Sequence, residues 1–124
     1  MKGAYLVSPS QGFFEAVCDH ASKMDGLSVK RAPGVAQLSD SSRRLLTIFE
    51  DAGSEWQDVL AESGEGPGPQ SGRFESVWIE CRFEDLFCRV VEGVALHVRE
   101  PTWLIDGNSV VWDARRLDRE RLQL

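Results

Sequence analysis

The sequence predicts an α+β fold: an antiparallel or mixed sheet of five to seven strands with two main helices on one face. Three observations lead to this prediction. Short segments that alternate apolar and polar residues recur along the chain, as half-buried strands do. Two longer segments place apolar residues every three or four positions, which is typical of an amphipathic helix. The pair Asp106-Gly107 separates two apolar runs, which indicates a hairpin.

The first half of the chain, residues 1–50, is predicted to contain a strand, a helix and three more strands. After a strand at 3–8, Ser8 is expected to cap the helix and Pro9 to occupy its first turn. The helix is predicted to run to about Met24, and Gly26 to end it at positive φ. The three strands are then predicted at 27–31, 35–38 and 44–49.

The second half, residues 73–124, is predicted to run strand, helix, strand, turn, strand. Its first strand is expected at 74–82, and its helix from Glu84 to a point before Pro101. Gly107 is expected to supply a positive φ to the final hairpin. Residues 117–124 could form a short helix or a last strand. The halves share a layout, so either a duplicated β-α-β-β unit or a chance similarity of two amphipathic helices explains them.

Length and composition predict one domain in the cytoplasm. A chain of 124 residues with 42% hydrophobic residues can bury a core of its own. No apolar run is long enough to cross a bilayer, and the N-terminal residues lack the apolar core of a signal peptide. Three cysteines, an odd number, argue against a secreted disulfide framework. We therefore expect no membrane partner. Oligomeric state is not predicted.

The net charge of −6 is concentrated in one segment. Residues 45–72 contain no Lys or Arg, and the rest of the chain balances at 14 acidic and 14 basic residues. The six acids of the segment are Glu50, Asp51, Glu55, Asp58, Glu62 and Glu65. This distribution argues against a nucleic-acid partner, because phosphates are bound by Lys and Arg. It permits a cationic partner. Within the same connecting segment, 51–72, residues 63–72 are rich in Gly, Pro and Ser and are predicted to form a loop.

The sequence offers no convincing catalytic motif. The candidate metal-ligating or nucleophilic residues are Cys18, His20, Cys81, Cys88 and His97. Their spacing along the sequence does not match that of known metal-binding motifs. The thiols are expected to be small buried apolar groups. A glycine-rich stretch at 64–72 lacks the Lys-Ser/Thr pair of a phosphate-binding loop. We expect neither an enzyme nor a cofactor or metal site.

The acidic segment around Trp56 is the candidate binding site. Runs of charge are often solvated surface, and that interpretation stays open. The alternative is an interface in which the acids steer a basic partner and an exposed Trp56 fills a pocket in it. The candidate partner-binding residues are Glu50, Asp51, Glu55, Trp56, Asp58, Glu62 and Glu65.

Size, acidity, cytoplasmic character and the strand-turn-strand at 103–114 give the chain an overall likeness to a known class. It resembles the immunity proteins that bacteria encode beside contact-dependent or polymorphic toxins. The resemblance is of type across the whole chain, and no residue's role is carried over from it. It implies a non-catalytic protein that neutralises a cognate toxin, such as a nuclease. The alternative function is a small-ligand-binding or regulatory module with a cleft between the sheet and the helices.

Overall fold

The protein, described by a computed structural model over residues 3–51, 56 and 74–124, is an α+β domain, as predicted. The part of the chain described contains seven strands and two helices. In chain order these are β1 (Gly3–Ser8), α1 (Phe13–Ser22), β2 (Ser28–Ala32), β3 (Val35–Ser39), β4 (Leu45–Asp51), β5 (Glu75–Cys81), α2 (Glu84–His97), β6 (Trp103–Ile105) and β7 (Val111–Asp113).

The strands form one sheet in the order β2-β3-β4-β5-β1-β6-β7, and every neighbouring pair is antiparallel. The first strand of each half, β1 and β5, pair at the centre. The central pair is flanked by β4, the last strand of its half, and by β6, the first strand to follow α2. The equivalent positions beside the central pair are therefore filled by strands from different points of the two halves, and this arrangement does not favour a duplication. The duplication stays a prediction.

Both helices cover the same face of the sheet, which we call the inner face. The core joins Leu6 of β1 and Ile79 of β5 to Phe13 of α1 and Phe87 of α2, and all four side chains are fully buried. Burying a side chain of this size contributes about 2 kcal/mol. The predicted alternation is what places these residues together, since every second residue of a strand points to the same face.

The start of α1 differs from the prediction. The helix begins at Phe13, not at Pro9, and it follows Gly12, which adopts the left-handed conformation at φ 66°. Its cap comes from strand β5. The carboxylate of Glu75 accepts hydrogen bonds from the backbone amides of Gly12 (3.0 Å) and Phe13 (3.4 Å). The Ser8 hydroxyl instead donates to the carbonyl of Pro101 at 3.0 Å. The predicted capping by Ser8 is therefore wrong.

The end of α1 also comes early. The helix ends at Ser22 rather than near Met24. Gly26 does adopt a positive φ, 78°, as predicted, but it lies in the turn that leads to β2. The helix of the second half matches its prediction better, because α2 ends at His97, before Pro101.

The final hairpin is organised by Asp106 rather than by its glycine. Gly107 has no positive φ; Ser109 adopts it instead, at 62°. The buried carboxylate of Asp106 accepts hydrogen bonds from the backbone amides of Asn108 (2.9 Å) and Val110 (3.0 Å). Such a bond from an Asp side chain to the residue two positions on stabilises a turn without glycine. The predicted role of Gly107 is therefore wrong.

The C-terminal residues 117–124 form neither a helix nor a strand. They turn back over the hairpin, where the amide of Gln123 donates to Asp106 at 3.4 Å and Leu122 is buried. Here Gly107 has a different use. A Cβ on it would lie 3.0 Å from the carbonyl oxygen of Gln123, so glycine allows the tail to approach.

The outer face of the sheet, opposite the helices, carries an apolar row. The register of six strands aligns Val35, Phe49, Trp78, Tyr5, Ile105 and Val111. The Trp78 indole lies against Gly3, where a Cβ would approach within 2.5 Å, and it donates to Glu80 at 2.9 Å. Neither of the described helices has the length and hydropathy needed to cross a lipid bilayer.

Candidate functional site

The acidic segment leaves and re-enters the sheet at one end, which we call the acidic end. Strand β4 finishes there with Glu50 and Asp51, and β5 begins beside it, with Asp51 directly opposite Ser76. The chain between the two strands therefore starts and finishes at the same end of the sheet. Four of the predicted site residues, Glu55, Asp58, Glu62 and Glu65, lie outside the described residues.

The two described acids of β4 point to opposite faces of the sheet. Glu50 is paired with Val77, a core residue, so it lies on the inner face; its side chain is exposed. Asp51 is half-buried on the outer face, where its carboxylate accepts a 2.8 Å hydrogen bond from the Ser76 hydroxyl. Glu50 is thus better placed to meet a partner than Asp51 is.

The sequence predicted that Trp56 is an exposed anchor for a partner, and this prediction is wrong. Only 3% of its surface is exposed, and it packs with Val7 and Ile105 on the outer face. The ring of Phe74 lies edge-on to the Trp56 ring, with 6.3 Å between the two ring centres. Neither α1 nor α2 covers this part of the sheet, and the indole shields its apolar surface from water. Trp56 therefore fixes the connecting segment to the protein's own sheet.

The indole N–H of Trp56 is fully buried and, among the described residues, has no hydrogen-bond acceptor. A buried unpaired donor of this kind costs about 1–3 kcal/mol. The apolar contacts of the ring must exceed that cost for the packing to persist. The contribution of Trp56 to stability is therefore the free energy gained by burying its ring minus the cost of the unpaired N–H.

A groove of about 570 Å³ lies between α1 and β2, where a cleft between a helix and the sheet was expected for a ligand-binding function. Its charges are paired with each other. The guanidinium of Arg31 bonds both carboxylate oxygens of Glu15, at 2.9 and 3.0 Å, and Asp19 bonds Lys23 at 3.2 Å. The groove therefore presents little uncompensated charge to a ligand.

The three thiols are buried and protonated at neutral pH. Burial raises the pKa of the Cys18 thiol to about 11, and it raises the pKa of Cys81 and Cys88 as well. The rings of His20 and His97 lie 5.3 Å apart, on α1 and α2. Over the described ranges, no three His, Cys, Asp or Glu side chains are grouped as a metal site would require. A thiol held protonated is a poor nucleophile.

No family model, curated protein or solved structure matches this chain. The functional argument therefore depends on the residues and their geometry. Two features were missed at the sequence level. One is the cap by Glu75, which depends on a contact across 63 residues. The other is a cluster of arginines at the opposite end of β4 and β5, for which the adjacent pair Arg43-Arg44 was the available signal.

Proposed function

We propose that the protein is a non-catalytic binding protein whose acidic end receives a basic surface of a protein partner. The observation that carries the proposal is the placement of charge: the six acids of residues 45–72 equal the whole net charge, and their segment begins and ends at one end of the sheet. A concentrated charge of one sign accelerates association with a partner of the opposite sign.

The proposed surface differs in two residues from the one that the sequence suggested. Trp56 positions the segment by packing on Val7 and Ile105, and it does not enter the partner. Asp51 contributes less than Glu50, because its carboxylate already bonds the Ser76 hydroxyl. The working charges are those of Glu50, Glu55, Asp58, Glu62 and Glu65.

The proposed partner is a protein toxin, and the proposed role is that of an immunity protein. This choice is supported by the overall resemblance to such proteins and by charge complementarity. An enzyme that cleaves nucleic acid binds phosphates through Lys and Arg, so an acidic protein surface complements its substrate site. Occupying that site would block the toxin without any chemistry by the immunity protein.

The first experiment uses the C-terminal domain of the protein encoded by the neighbouring upstream reading frame as the probe. The wild-type chain is expected to protect cells that express this domain and to bind it tightly in calorimetry. A variant with Glu50→Lys and Asp58→Lys should bind at least tenfold more weakly, because two attractions become repulsions. The matched control, Asp25→Lys with Glu120→Lys, changes the net charge equally at exposed positions away from the acidic end.

Three results would contradict the proposal. The first is a neighbouring gene product that neither harms cells nor binds. The second is equal weakening by the test and control variants, which would show an effect of net charge alone. The third is full affinity in the Glu50→Lys, Asp58→Lys variant, which would remove the acidic end from the interface.

A further inference from the structure

A groove of about 460 Å³ lies on the sheet at the end opposite the acids. It is formed where β4 begins and β5 finishes, and we call it the arginine groove. Its lining residues are Ser42, Arg43, Arg44, Leu45, Thr47, Glu80, Cys81, Arg82 and Phe83. Its volume is within the range of ordinary small-molecule sites.

One wall of the arginine groove is held rigidly by Asp40. Its carboxylate accepts hydrogen bonds from the backbone amides of Ser42 (3.0 Å) and Arg44 (2.9 Å), and from the Arg44 guanidinium (2.7 Å). These bonds, led by the one from the Arg44 amide, lower the pKa of Asp40. The turn between β3 and β4 is therefore fixed before any ligand arrives, which reduces the entropy cost of binding.

Arg44 is a structural part of the arginine groove and carries no spare charge. It bonds Asp40 on one side and both oxygens of Asp85 on the other, at 3.0 and 2.8 Å. Its guanidinium also lies 5.3 Å from the centre of the Phe83 ring. Two carboxylates thus neutralise this cation, and the aromatic ring adds a cation–π contact.

Arg43 and Arg82 are different, because both are exposed and neither guanidinium has a hydrogen bond or ion pair in the part of the chain described. Arg43 also adopts a left-handed backbone, φ 62°, which is costly for a residue with a side chain and is common at functional sites. The single acid of the arginine groove, Glu80, accepts the hydrogen bond of the Trp78 indole. Arg43, Arg44 and Arg82 balance Asp40, Asp85 and Glu80 in formal charge. What the groove offers a ligand is therefore the two guanidinium groups of Arg43 and Arg82, whose donors are unpaired among the described residues.

The same groove has apolar walls that are open to solvent. Leu45 is 49% exposed and Phe83 is 39% exposed, and they are two of the few large apolar side chains at the surface of the described chain. Guanidinium groups bind carboxylates and phosphates through paired hydrogen bonds, while leucine and phenylalanine favour an apolar body. The combination selects a ligand that has both parts.

We propose that the arginine groove binds a small organic anion, in which a carboxylate or phosphate is attached to an apolar body. Arg43 and Arg82 bind the anionic group, and Leu45 and Phe83 contact the apolar part. The site lies at the opposite end of the sheet from the acidic end, and it does not depend on the proposed partner there.

The test uses phenyl phosphate and benzoate as amphiphilic probes and inorganic phosphate as the probe without an apolar part. Both amphiphilic probes are expected to raise the melting temperature of the full chain and to bind in calorimetry. Arg43→Ala and Arg82→Ala should each weaken binding about tenfold, as expected for loss of one charged hydrogen-bond pair. Arg99→Ala is the matched control, since Arg99 is exposed and outside the groove.

Leu45→Ser separates the two parts of the ligand. This substitution should weaken the binding of phenyl phosphate several-fold and leave the binding of inorganic phosphate unchanged. Three results would overturn the proposal. The first is no binding of either amphiphilic probe at about 5 mM, which would fill most of a site with a dissociation constant of about 1 mM. The second is wild-type affinity in both the Arg43→Ala and the Arg82→Ala variant, and the third is inorganic phosphate binding as tightly as phenyl phosphate. Arg82 is exposed and has no described side-chain bond, so its variant tests the site even if Arg43→Ala disturbs the turn.

Discussion

The carboxylate of Glu75 caps helix α1 by accepting a 3.0 Å hydrogen bond from the backbone amide of Gly12, 63 residues earlier in the chain. The amide of Phe13 bonds the other oxygen at 3.4 Å. The first amides of a helix have no partner within the helix, and a carboxylate there also interacts favourably with the helix dipole. Glu75 is therefore an acid at the acidic end whose charge is already used within the fold.

Removing this cap should destabilise the protein. We expect Glu75→Ala to lower the free energy of unfolding by about 1 kcal/mol, the usual size of a lost N-terminal cap. Urea denaturation measures this change. Glu120→Ala is the control, because Glu120 is exposed and its side chain has no described bond. A loss no larger than that of the control would show that the Glu75 bonds contribute nothing to stability.

The buried indole of Trp56 predicts different outcomes for two substitutions. Trp56→Ala should lower the free energy of unfolding by about 3 kcal/mol, because it removes a large ring from apolar surroundings. Trp56→Phe keeps most of the ring and removes the unpaired N–H, so its effect should be within about 1 kcal/mol of zero. Thermal and urea unfolding measure both. Equal losses for the two variants would mean that the N–H has a partner or that the ring is not buried.

The raised pKa of Cys18, about 11, predicts how stability depends on pH. The folded protein favours the protonated thiol, so the unfolded chain ionises first as pH rises through the ordinary value of 9.0. Stability from this group is complete below pH 9 and is lost between pH 9 and about 11. Urea unfolding across this range should show a decline that is shallower in Cys18→Ala. Identical slopes would contradict the burial of this thiol.

The same burial makes a second measurement possible on the native protein. A thiol reagent at pH 8 should modify Cys18 slowly until denaturant is added, because the thiolate is scarce and inaccessible. Rapid modification without denaturant would show that the groove between α1 and β2 admits the reagent to this residue.

Local patterns were sufficient to predict most of the fold. The alternation at 44–49 identified β4, observed at Leu45–Asp51, and the helical period after Glu84 identified α2. Periodicity succeeds here because one face of each element is buried against a single core. The errors occurred where a side-chain hydrogen bond decides the local structure. Glu75, 63 residues away, determines where α1 begins, and the neighbouring Asp106 allows Ser109 rather than Gly107 to take the positive φ.

The candidate site was less predictable than the fold. Charge could be counted from the sequence, and the common end shared by Glu50 and Asp51 followed once β4 paired with β5. The burial of Trp56 could not be predicted, because it depends on Val7 and Ile105 lying together on the sheet face opposite α1 and α2. The arginine groove was missed because Arg43 and Arg82 are 39 residues apart in sequence and meet only through strand register.

The central claim, that the acidic end binds a basic partner, is tested most directly by the salt dependence of that affinity. The dissociation constant for the C-terminal domain encoded upstream should be measured from low to high salt for the wild type and for the Glu50→Lys, Asp58→Lys variant. Screening weakens exposed charge pairs, so the wild type should lose affinity steeply with salt and the variant should lose much less. An unchanged slope in the variant, or a wild-type affinity independent of salt, would contradict the claim.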